Sequence, residues 1–84
     1  MSRRAQIESL LLDDPRDTFL RYALAMEHLA EKNWEPALQI FAELQTDRPP
    51  YVPAFFMAAQ QLTKLGRIDE ARTALRTGID QARS

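Results

Sequence analysis

Apolar residues along the chain recur at steps of three and four, and no segment alternates with period two. The pattern predicts an all-α protein of five helices, over 3–12, 17–30, 34–46, 52–64 and 68–82. In the second predicted helix Phe19, Tyr22, Ala23, Met26, Leu29 and Ala30 form one stripe, and Leu20 and Leu24 form another. A helix apolar on two faces must be contacted on two sides. Phe55, Phe56, Ala58, Ala59, Leu62 and Leu65 repeat that arrangement in the fourth. The third and fifth carry narrower stripes: Trp34, Ala37, Leu38, Phe41 and Leu44, then Ile68, Ala71, Leu75 and Ile79.

Turn residues divide the chain at the same places. Asn33 suits a helix cap before Trp34, and Pro36 falls in the first turn, where its missing N–H costs nothing. Pro49-Pro50 forbids continuation of the third helix, and Pro53 suits a helix start. Gly66 follows Leu65 and is free to adopt the left-handed conformation that ends a helix. Asp13-Asp14 before Pro15 read as a turn and the start of a helix.

The pattern also repeats. Pro15 and Pro49 are 34 residues apart, as are Leu24 and Ala58, Ala25 and Ala59, Ala37 and Ala71, and Phe41 and Leu75. The predicted organisation is one domain, 1–84, made of an N-terminal helix and turn (1–17) and two units (18–51 and 52–84). Ile7, Leu10 and Leu11 are expected on one face of the first helix, which supplies half a unit. Without it, only marginal folding is expected.

A 34-residue helix–turn–helix unit with a small residue in its second helix resembles the tetratricopeptide repeat (TPR), of the small bacterial type. In the first unit the matching run is Arg21, Leu24, Ala25 and His28, then Ala37 and Phe41, then Pro49. In the second it is Phe55, Ala58, Ala59 and Leu62, then Ala71 and Leu75, with Arg83 in place of Pro. Arg21 and His28 depart from the aromatic positions of the family pattern. The resemblance implies a right-handed stack of helix pairs whose first helices line a concave groove. It places Phe19, Tyr22, Met26 and Leu29 in that groove from the first unit, and Phe56, Gln60, Thr63 and Lys64 from the second. The basic, Asn-rich clamp with which some members hold C-terminal carboxylates is not matched, since Lys64 is the only basic residue among these positions.

Composition narrows the chemistry. Eleven Lys+Arg against twelve Asp+Glu give a net charge of −1, which argues against nucleic acid as a partner. With no Cys, disulfides, thiolate metal sites and Cys nucleophiles are out. The charged N-terminus does not read as a signal peptide, and no apolar run approaches the roughly 20 residues of a membrane span. A cytoplasmic soluble protein, with no membrane partner, is the expectation.

His28 is the single candidate general base, and no arrangement of nucleophiles around it would build a triad. Glu31, three residues on, is a candidate partner for it on the same face. Glu27 and Glu31 otherwise read as a solvated like-charged pair. No cluster of carboxylates has metal-ligand convergence, and no Gly-rich loop would cradle phosphate. Neither an enzymatic activity nor a cofactor or metal is expected. Arg67, Arg72, Arg76 and Arg83 read as a mixed solvated face, with an acidic-partner patch as the sharper alternative.

Matched positions in the third and fifth helices differ: Leu38 becomes Arg72, Ile40 becomes Ala74 and Leu44 becomes Gly78. That loss of bulk and gain of charge predicts a capping helix that ends the stack. Together with Met1, it predicts a small stand-alone protein. Leu75, Gly78, Ile79 and Ala82 nevertheless leave an apolar edge suited to self-association, with Gly78 allowing another helix to approach. The expected function is a non-enzymatic protein–protein interaction module that binds an apolar or amphipathic segment in its groove. The alternative is a homo-oligomerising scaffold, a homodimer for instance, whose groove or last helix is occupied by a second copy.

Overall fold

A computed structural model describes residues 2–84 of the chain. Its five helices are α1 (Arg3–Asp13), α2 (Thr18–Ala30), α3 (Trp34–Gln45), α4 (Val52–Lys64) and α5 (Ile68–Arg83), and no strand occurs among the described residues. The fold is all-α and built from helical hairpins. Each boundary lies within a residue of its expected place, because the turn chemistry is written locally.

The chain divides into two compact units at Ile40 and Phe41, inside α3. In the first, α1 packs against α2. Ser2 caps α1 by accepting the Ala5 N–H at 3.1 Å. Asp17 caps α2 by accepting the Leu20 N–H at 2.8 Å, so the helix starter is Asp17, and Asp13 and Asp14 instead end α1. Ile7 and Leu11 are half-buried, whereas Leu10 is turned outward, away from the face it was expected to share with them. Ala25 and Ala37 are fully buried.

Two ion pairs tie α1 to α2. Arg3 Nε stands 3.1 Å from Glu27, and Arg4 Nε donates to both carboxylate oxygens of Glu31 at 3.1 and 2.9 Å. Glu27 and Glu31 are thus receptors for α1 rather than a solvated pair. Glu31 is turned to Arg4 rather than to His28.

In the second unit α4 and α5 form a close antiparallel hairpin. Before it, the Tyr51 N–H donates back to the Leu44 carbonyl at 3.0 Å, closing the loop that Pro49-Pro50 forces. Ala54, Phe55, Ala58, Ala59, Leu62 and Ala71 are buried. Small residues at 54, 58, 59 and 71 allow close approach of the two axes. Gly78 completes that contact. A Cβ there would stand 2.6 Å from Phe55 Cβ, closer than carbon atoms approach.

The turns that end α2 and α4 are the same turn, 34 residues apart. After α4, Gly66 has φ +79°, its N–H donates to Thr63, and the Arg67 N–H donates to Leu62 at 2.9 Å. After α2, Lys32 has φ 61°, its N–H donates to Leu29, and the Asn33 N–H donates to His28 at 2.8 Å. Both are Schellman caps, which satisfy the carbonyls that the helix end would leave open. The 34-residue period is therefore a repeat of backbone conformation as well as of side-chain type.

Candidate functional site

The expected groove residues divide between the units. In the first, Phe19 is 73% exposed, while Tyr22, Met26 and Leu29 are half-buried. In the second, Phe56, Gln60, Thr63 and Lys64 are all exposed on α4.

Within the second unit the side chains converge. A furrow of about 360 Å³ runs along the α4–α5 hairpin. Phe56, Ala59, Gln60 and Thr63 line it from α4, and Ile68, Ala71, Arg72 and Leu75 from α5. Each set follows the spacing i, i+3, i+4, i+7, so each helix contributes one face. Ala59 and Ala71 form the buried floor and the longer side chains form the walls. Thr63 is chemically quiet: its hydroxyl donates to the Ala59 carbonyl at 2.8 Å. Arg72 places one cationic head at the rim, and Gln60 adds a neutral polar group. Such a furrow offers an apolar bed with a few orienting polar contacts.

Three of the expected groove residues, Phe56, Gln60 and Thr63, thus meet Leu75, which was assigned to a separate edge. Lys64 does not line the furrow. Ile79 and Ala82 are exposed further along α5, in line with Leu75. Gly78 is buried, and its lack of a side chain serves α4 of its own chain, so it offers nothing to another helix. Ala59, Ile68 and Ala71 were expected only in apolar stripes, and Arg72 only on the charged face of the last helix, yet all four line the furrow. The signal lay in the 34-residue register. Phe41 is fully buried, whereas Leu75, its counterpart, is 44% exposed. Trp34 is half-buried, whereas Ile68, its counterpart, is also 44% exposed. The furrow is the second repeat's copy of a surface that is buried or half-buried in the first.

Beyond the furrow, Arg67 and Glu70 form a two-pronged pair at the start of α5, with Nη2–Oε1 at 2.9 Å. The Arg67 hydrogen bond holds the Glu70 carboxyl below its usual value, aided by the nearby positive charge and opposed by slight desolvation. His28 Nδ1 is buried without a hydrogen-bond partner. No group of three or more acids, His or Cys with metal-binding convergence occurs among the described residues. No described helix is long and apolar enough to cross a membrane.

An all-α helical-hairpin protein with an apolar furrow on its last hairpin is the class that the fold and site define. No family model, curated protein or solved structure matches the chain.

Proposed function

We propose that the chain is a TPR-like protein–protein interaction module without enzymatic activity, which docks an amphipathic helix in the α4–α5 furrow. One observation carries this reading: Phe56, Ile68 and Leu75 stand exposed around a continuous apolar floor, at a register whose counterparts in the preceding repeat are buried or half-buried. Apolar surface gathered in this way is costly in water and marks an interaction site. A helix fits better than an extended strand, because the furrow offers no free backbone edge and is walled by two helices. Rigid walls limit the ordering cost of binding. Arg72 would orient the guest by meeting an acidic residue on its flank.

The test uses a synthetic amphipathic helical peptide with Leu and Ile at heptad spacing and Glu on one flank. Backbone amide shifts of the full chain are followed during titration. Shifts grouped at Phe56, Thr63, Ile68, Arg72 and Leu75, and lost in Leu75→Glu, support the proposal. No binding at concentrations where the chain is monomeric, or shifts centred on α1 and α2, would overturn it.

A further inference from the structure

We propose that the occupant of the furrow is α5 of a second copy of this chain, laid antiparallel across a two-fold axis. The inference rests on the furrow being a docking site and adds the identity of the guest. It starts from the exposed side of α5. Ile68, Arg72, Leu75, Ile79 and Ala82 are all exposed and follow one another at steps of four, three, four and three. That is the seam spacing of two helices packed side by side. Three of the five are large apolar side chains, exposed by 44%, 44% and 39% at Ile68, Leu75 and Ile79. The seam borders the furrow and shares Ile68, Arg72 and Leu75 with it. A helix covering the seam would therefore also lie over the furrow.

Charge chooses the guest and its direction. Asp69, Arg76 and Arg83 follow one another at steps of seven along the flank of the seam away from α4. None of the three forms an ion pair among the described residues. A two-fold axis makes each contact occur twice, with residue i on j and j on i. When Leu75 faces Ile79 of a second copy, Arg72 faces the small Ala82, leaving room for its side chain. Asp69 then comes opposite Arg83 at both ends of the pair. A parallel pairing would instead turn this flank towards the opposite flank of the second copy, where Ala71 and Gly78 are buried against α4 and carry no charge. Only the antiparallel direction therefore gives Asp69 and Arg83 opposite charges to meet. The antiparallel pairing keeps one unfavourable contact, Arg76 beside its own copy near the axis. An acid-first, base-last order also suits an isolated helix. The distinguishing feature is that these charges lie on one flank at heptad spacing, beside Leu75 and Ile79, which are complementary to each other in the same register.

The experiment is solution mass by light scattering of the full chain over a concentration series from micromolar to millimolar, with helicity checked by circular dichroism. The wild type is expected to pass from monomer to dimer, and Leu75→Glu to remain monomeric. Asp69→Arg is expected to weaken dimerisation about tenfold, and adding Arg83→Asp to restore it; Arg76→Ala is expected to strengthen it several-fold. Because these four positions are exposed, the variants should keep the wild-type helicity. A wild-type monomer throughout the series would overturn the proposal. So would a dimer insensitive to Leu75→Glu, or a charge reversal that the second reversal does not repair. A monomer that still takes the synthetic peptide in its furrow would remove the second copy and leave the docking reading standing. A monomer that binds no peptide there would remove both.

Discussion

Gly78 lies against Phe55 so closely that a Cβ on the glycine would stand 2.6 Å from the phenylalanine Cβ. Phe55 Cγ and the ring tip of Phe56 would follow at 3.3 and 3.4 Å. Phe55 is itself buried, so neither partner has room to retreat. The glycine lets α5 lie close to α4, and that approach sets the furrow beside it.

Gly78→Ala should therefore destabilise the protein. Alanine gains up to about 1 kcal/mol of helix propensity. Overpacking against a Cβ that cannot rotate away costs about 1–3 kcal/mol, and the clash is expected to prevail. Urea unfolding would show a lower midpoint with an unchanged slope. A raised midpoint would mean that the helices are not so close.

Lys32 and Gly66 occupy the same left-handed position in successive repeats, and only the glycine does so without a Cβ penalty. Lys32→Gly should stabilise the chain by about 0.5–1 kcal/mol. Gly66→Ala should destabilise it by about 1 kcal/mol, although a Cβ there meets open space. Thermal melts of the two variants should move in opposite directions. Movement in the same direction would mean that the two turns are not equivalent.

Arg4→Ala should loosen α1 through loss of its pair with Glu31. Both side chains are more than a third exposed, so the loss should not exceed about 1 kcal/mol and should shrink as salt is raised. A double-mutant cycle with Glu31→Ala isolates the pairwise energy. A coupling indistinguishable from zero at low salt would mean that the pair only decorates the surface.

Glu70 should titrate below the ordinary glutamate value and return towards it in Arg67→Ala. Its folded-state value is depressed, so the contribution of the pair is present above the unfolded-state value and disappears as pH falls through the folded one. The group is fully exposed, so side-chain carbonyl shifts in an NMR titration are the suitable readout, rather than stability. A wild-type value equal to that of the variant would contradict the pairing.

The helices were legible in the sequence because their boundaries rest on local chemistry: Pro53 at a start, Gly66 at an end, and a 34-residue spacing that carries both. Lys32 was not legible as a left-handed cap, since nothing in a lysine announces positive φ. It shows only as the 34-residue counterpart of Gly66. Arg3 and Arg4 were similarly hidden. Their pairing with Glu27 and Glu31 depends on how α1 lies on α2, which no local spacing reports. The site was half legible. Phe56, Gln60, Thr63 and Leu75 were each singled out, but in two separate lists. Joining them required the hairpin geometry, and above all the buried Gly78, which apolar spacing alone reads as one more edge residue.

The most direct test of the docking reading is amide chemical-shift mapping of the full chain against the synthetic amphipathic peptide, repeated in Leu75→Glu. The expected result is a contiguous set of shifts along Phe56, Gln60, Thr63, Ile68, Arg72 and Leu75 that the substitution abolishes. Saturable shifts centred on Phe19 and Leu12, or a response that survives Leu75→Glu, would contradict it.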